Sequence, residues 1–303
     1  MPCPAMRKLL ALLVPFACSV AAAAPQPQWF FDDFSYADTA ELAQGGWTVR
    51  SGGGHPGVEG ARWSAAQITL LDEGVGNRLL RLTGSTDGTG AGTLQAQLCH
   101  ARKYLEGTYA ARVRFSDTPV RGMDGDPVVQ TFYLVSPLKH DFDPEFSELD
   151  WEYLPNGGWG SEKTRLYGIS WQTVRLDPWL AFNQAHEEVR SVEGWHVLMM
   201  QVADGKTRHY LDGKLLAEHG GRSYPVVPMS INFNLWFSAG GLLAASAEPR
   251  VYQEDVDWVF HARGQLLDQD QLLAEVAALR RTGISRVDRV PEAQPPLPSL
   301  CDF

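Results

Sequence analysis

Ser147-Glu148-Leu149-Asp150-Trp151-Glu152-Tyr153-Leu154 is the stretch that decides how the chain is read. Acidic and large apolar residues alternate through it, which predicts a single β-strand. Side chains two apart share a face, so Glu148, Asp150 and Glu152 point one way and Leu149, Trp151 and Tyr153 the other. Three carboxylates in a row repel one another and resist burial. Such a face is either solvated or put to use, and spacing alone leaves both readings open. Asp141, Asp143 and Glu145 repeat the spacing upstream, but Pro144 and the lack of alternating apolar partners make that stretch a loop.

Around this strand, from Trp29 to about Phe260, the chain consists of short apolar or alternating runs broken by Gly, Pro, Asp and Asn. Strands are expected near 67–71, 78–83, 107–115, 128–135, 166–172, 195–202, 207–211, 228–237 and 253–261. Turn signals such as Asp204-Gly205 and Asp212-Gly213 separate them. This pattern predicts an all-β, antiparallel sandwich or barrel. The Gly-rich run 51–57 lacks the strand–turn–helix setting of a phosphate loop and reads as a surface loop beside a cleft. One helix is expected over 268–282, where Leu272, Leu273, Val276 and Leu279 recur at helical spacing. Asp268 or Asp270 can cap its start and Gly283 its end. The Pro-rich tail 291–298 is expected to be extended.

Residues 1–24 read as a secretory signal: basic Arg7 and Lys8, an apolar run from Leu9 to Cys18, then small residues Ala21 to Ala24. Residues 25–262 are then the sandwich, and 263–303 a helix and tail packed on it. No later segment has the roughly 18 apolar residues of a membrane span. The net charge of −10 argues against nucleic acid or anionic membrane as partners and suits a neutral substrate. Export to the periplasm or medium as a monomer is expected. Outside the leader only Cys99 and Cys301 remain, and an oxidising compartment would let them pair. No Cys or His cluster has zinc spacing.

Glu148-Leu149-Asp150-Trp151-Glu152 resembles the Glu-apolar-Asp-x-Glu motif of glycoside hydrolase family 16. Other segments resemble that family in the same order. They are Tyr104-Leu105-Glu106-Gly107-Thr108-Tyr109-Ala110-Ala111-Arg112-Val113, Val128-Val129-Gln130-Thr131-Phe132-Tyr133-Leu134, Gly194-Trp195-His196 with Tyr210-Leu211-Asp212-Gly213, Asn232-Phe233-Asn234-Leu235-Trp236, and Val256-Asp257-Trp258-Val259. With no extra residue before Glu152, the motif looks like the regular-strand lichenase and xyloglucan-enzyme branch rather than the bulged laminarinase form. The resemblance spans roughly 29–260. It implies a concanavalin A-like jelly roll, with Glu148 as nucleophile, Asp150 assisting and Glu152 as acid/base. It further implies retaining endo-hydrolysis of a β-linked polysaccharide. A transglycosylase on the same intermediate, or a carbohydrate-binding protein without catalysis, are the alternatives.

The geometry of a strand suits that chemistry. Glu148 and Glu152 Cα atoms lie about 13 Å apart along it, and inward-leaning side chains can approach the roughly 5–5.5 Å of a retaining pair. Sugars need aromatic faces and polar partners. Asn232, Asn234 and Trp236 share one face of their strand and are expected in the cleft. Tyr133, Trp171 and the loop residues Trp159 and Trp179 are further candidates. The segments 51–60, 155–163 and 172–188 are taken as loops that select the sugar. No cofactor is required. Many family members carry one structural calcium, for which Asp33 and Asp257, with Asp32, are the candidate ligands.

Overall fold

The computed structural model describes residues 1–2, 26–74, 76–297 and 301. All but the first two residues of the expected secretory signal lie outside them. The strands in the first part of the chain are β1 (Trp29–Asp32), β2 (Thr48–Val49), β3 (Arg62–Trp63), β4 (Ile68–Gly74), β5 (Asn77–Thr86) and β6 (Leu94–Cys99). The middle holds β7 (Gly107–Phe115), β8 (Val128–Val135), β9 (Glu148–Leu154), β10 (Arg165–Arg175), β11 (Leu180–Glu188) and β12 (Gly194–Ala203). Then come β13 (Lys206–Leu211), β14 (Lys214–Gly220), β15 (Ser230–Phe237), β16 (Arg250–Arg263), the helix α1 (Gln269–Arg281) and β17 (Arg286–Asp288).

The strands stack as two layers. One sheet runs β2, β6, β15, β8, β9, β10, β11 in space. The other runs β14, β13, β12, β7, β16. Beyond β16 lie β5 and β4 along its first half, and β1 with β17 along its second. Every ladder is antiparallel except the short one between β3 and β6. The result is an antiparallel β-sandwich of jelly-roll type.

The apolar half of the alternating stretch builds the core. Leu149, Trp151 and Tyr153 of β9 are buried with Phe132 and Leu134 of β8 and Ile231, Phe233 and Leu235 of β15. They meet Tyr109, Ala111 and Val113 of β7 and Leu198, Met200 and Val202 of β12 from the other sheet. Burying a large apolar side chain contributes roughly 1.5–3 kcal/mol, so this layer commits the carboxylates of β9 to the opposite face.

The second sheet also has an outer apolar face, with Phe31, Trp258 and Phe260. Helix α1 covers it with Leu272 and Val276. Asp268 caps α1, accepting from Gln271 N at 2.8 Å while its own N–H donates to Gln271 Oε1 at 2.9 Å. The chain then adds β17 beside β1, a strand too short to show in the sequence, and Cys301 is disulfide-bonded to Cys99.

Residues 172–188 are not the loop expected from the sequence. They complete β10 and form β11, a hairpin at the sheet edge. Residues of β11 are exposed or half-buried throughout, so the strand lacks the apolar alternation that a core-facing strand shows.

The acids expected to hold calcium do not fit a cation. Asp257 accepts from Arg112 Nη1 at 2.6 Å, Arg280 Nη2 at 2.8 Å and Asn77 Nδ2 at 3.1 Å. Burial pushes its carboxyl up, but Arg280, Arg112 and Asn77 outweigh that and leave it below the usual range. Asp33 faces the same Arg280 at 3.5 Å. Asp32 accepts from Phe34 N and Trp47 Nε1, each at 2.8 Å, and from the Tyr36 hydroxyl. Among the described residues no group of three or more His, Cys, Asp or Glu is arranged to hold a metal. The guanidinium of Arg280 already neutralises Asp33 and Asp257, and the oxygens of Asp32 are taken up by protein donors. Arg280→Ala is therefore expected to destabilise the protein by about 1.5–3 kcal/mol in urea titration, while a chelator leaves the wild-type midpoint unchanged.

Candidate active site

Strand β9 is held on both sides. Glu148 lies opposite Val135 and Trp171, Asp150 opposite Tyr133 and Ile169, and Glu152 opposite Thr131 and Tyr167. Neither ladder shifts register, so β9 is a regular strand without a bulge, and all three carboxylates emerge on one face. They form the floor of a cleft of about 540 Å³. Aromatic pairs make its walls. Trp159 packs on Tyr167 with ring centres 5.2 Å apart, and Trp179 meets Trp171 edge-on at 6.1 Å.

The three acids differ in surroundings. Glu148 and Asp150 are 6% and 3% exposed, whereas Glu152 is half-buried. Trp171 Nε1 donates to Asp150 Oδ2. Glu148 Oε2 and Asp150 Oδ1 are buried without a protein partner. Burial, then the charges of Asp150 and Glu152, hold the Glu148 carboxyl well above the usual range. Burial and Asp150 do the same to Glu152. Burial pushes Asp150 up to about 8, against the opposing pull of the Trp171 N–H. The set therefore keeps protons at neutral pH that free carboxylates would lose, and its titration belongs to the group as a whole.

Most of the expected binding residues converge here. Tyr133, Trp159, Trp171, Trp179, Asn234 and Trp236 all line the cleft. Asn234 is oriented by Thr131, whose hydroxyl donates to its Oδ1 at 2.6 Å. Asn232 does not line the cleft. It is fully buried, and its Nδ2 donates to Ser230 Oγ at 2.9 Å. It shares the face of Asn234 and Trp236 and lies level with Tyr133, but it is fully buried beside the cleft rather than open to it. Trp159 holds a left-handed backbone, φ 50°, within the loop 157–160.

Several lining residues were not foreseen. Tyr167 and Ile169 share the face of Trp171 on β10, so parity on that strand was their signal. Gln97 Nε2 donates to the Tyr133 hydroxyl at 2.7 Å, and Arg50 Nη1 donates to Gln97 Oε1 at 2.9 Å. These contacts join residues 36 and 47 positions apart and leave no local mark in the sequence. Ala181, Asn183 and Ala185 of β11 present small side chains to the cleft.

The fold is shared with solved β-glucanases. The β-glucanase of Bacillus licheniformis superposes with a TM-score of 0.55 at 17% identity, over 79% of this chain and 100% of that one. A glycoside hydrolase family 16 endo-glucanase from Bacteroides ovatus gives 0.55 at 16% identity, over 76% and 98%. A protein of Zobellia galactanivorans, solved with laminaritriose and laminaritetraose, gives 0.54 at 12% identity, over 77% and 98%. No family sequence model matches the chain, and no curated protein matches it significantly.

Burying acids in this way has a cost that depends on pH. A carboxyl whose folded pKa is raised binds its proton more tightly folded than unfolded, so stability is greatest below the unfolded pKa and falls as pH rises. For Asp150 that window runs from 3.8 to about 8. Asp150→Asn removes one such group. Its melting temperature relative to wild type is expected to rise at pH 8 and to change little at pH 4, as read by scanning calorimetry.

Proposed function

We propose that the protein is a retaining glycoside hydrolase of the family 16 type that cleaves within a β-linked polysaccharide chain. The observation that carries this reading is the regular strand β9, which sets Glu148, Asp150 and Glu152 side by side on the floor of an aromatic-walled cleft. A non-catalytic sugar binder would have no use for three crowded carboxylates, two of them buried, at this energetic cost.

In the first step the Glu148 carboxylate attacks the anomeric carbon while Glu152 gives its proton to the departing glycosidic oxygen. The carbon–oxygen bond breaks, and an ester forms between Glu148 and the sugar. In the second step Glu152, now a base, takes a proton from water, which displaces Glu148 from the same carbon and restores the starting configuration. Protonated Asp150 holds negative charge on Glu148 by hydrogen bonding and gives that bond up as the ester forms. Trp171, bonded to Asp150, fixes its orientation. The aromatic walls stack on the faces of the sugar rings.

Substrate choice is drawn toward β-glucans by the fold neighbours, among them β-glucanases. Export fits the leader-like residues 1–24 and the Cys99–Cys301 disulfide, which suits an oxidising compartment. Among the described residues no helix is long and apolar enough to cross a membrane. A monomer acting on neutral polysaccharide accords with the acidic charge balance.

Secreted protein incubated with a panel of β-glucans is expected to release reducing ends with retained anomeric configuration by proton NMR. Glu148→Gln is expected to lower kcat by at least about 10³-fold with an unchanged circular dichroism spectrum. Wild-type turnover in that variant overturns the assignment. The dependence of kcat/KM on pH is expected to be bell-shaped, since it needs Glu148 ionised and Glu152 protonated.

A further inference from the structure

Two loops from opposite edges of the sheet meet over the cleft. The segment after β2 carries His55, and the turn between β10 and β11 carries Trp179. Their rings stack at 5.9 Å with planes 30° apart. Strand β2 is one edge of the seven-strand sheet and β11 the other.

Both arms are tied to the cleft floor. Arg50 Nη2 donates to the His55 carbonyl at 3.0 Å, and Arg50 Nη1 donates to Gln97, which in turn donates to the Tyr133 hydroxyl. On the other side Trp179 leans on Trp171, whose indole donates to Asp150. Tyr133 and Asp150 are direct register partners on β8 and β9. The His55–Trp179 contact therefore stands above the Tyr133–Asp150 level. Trp159 and Tyr167 pack together at the Glu152 end, away from that contact.

The loop bearing His55 is a built element rather than a loose flap. Trp63 Nε1 donates to the Gly54 carbonyl at 3.1 Å, Gln95 Nε2 donates to the Pro56 carbonyl at 3.3 Å, and the Arg50 guanidinium lies over the Trp63 ring at 4.5 Å. Rings in contact leave no gap through which a pendant sugar could project.

We propose that His55 and Trp179 roof the part of the cleft over Asp150 and restrict the site to unsubstituted stretches of glycan, excluding backbones whose sugars carry branches there. The proposal rests on the glycosidase reading and adds its substrate class. A bare chain lies lengthwise under the roof, and a branch at the roofed position collides with the two rings.

The test uses matched pairs with a common backbone: linear β-1,4-glucan oligosaccharides against the same chains bearing xylosyl branches, and linear β-1,3-glucan against β-1,6-branched β-1,3-glucan. Wild type is expected to favour the linear member of the cleaved pair by about tenfold or more in kcat/KM. His55→Ala and Trp179→Ala, both at exposed positions, are each expected to narrow that ratio. Comparing the two substrates within each variant cancels any loss common to both. A ratio unchanged in both variants, or a wild type that cleaves branched and linear chains alike, overturns the roof and leaves the glycosidase reading standing. No cleavage of any glycan, with no binding of oligosaccharides to Glu148→Gln by calorimetry, overturns the glycosidase reading and the roof with it.

Discussion

Three carboxylates crowded on one face of one strand, two of them buried and the third half-buried, are the constraint on which the rest of this structure depends. They repel one another, lack enough protein donors to compensate, and hold protons far above the ordinary range. Left to itself such a strand would turn its acids to water. It is kept in place because its other face supplies Leu149, Trp151 and Tyr153 to the core, and because β8 and β10 grip it in register on both sides. Stability gained in the sandwich is spent on one strongly unfavourable row. This arrangement puts poised charge where a reacting bond can be held.

The alternation that built β9 was legible because period-two patterning reports a strand with unlike faces. The helix was legible for the corresponding reason, with its cap at Asp268 and a buried stripe through Leu272 and Val276. Strand β11 was not, because it lies at an edge with neither face in the core. Its small residues look like loop composition until the cleft beside them is seen. Parity placed Asn232, Asn234 and Trp236 on a common face correctly, but parity says nothing about what covers a face, and Asn232 is fully buried. Ion pairs were the least legible feature. Asp257 and Asp33 looked like cation ligands because acids show in a sequence, whereas their partner Arg280 comes from a helix that joins the sheet only in three dimensions.

The polar connections around the cleft follow one logic. Thr131 orients Asn234, Arg50 and Gln97 orient Tyr133, and Trp171 holds Asp150. Asn234, Tyr133 and Asp150 are thus each fixed by a side chain from a neighbouring strand, so their positions follow from sheet register. A site built this way tolerates variation in its loops while keeping its floor rigid.

The place of β1 sets an order of events for a chain made from its N-terminus. Its partners are β16 on one side and β17 on the other, so the first of the described strands remains unpaired until the last two of them have appeared. Without β1 the second half of β16 has a neighbour only on its β7 side. The sandwich therefore completes that edge only after β16 and β17 have been made, a contact between segments far apart in the chain. Closing the sheet with strands from its two ends makes the arrival of β16 and β17 the moment at which that edge is first sealed.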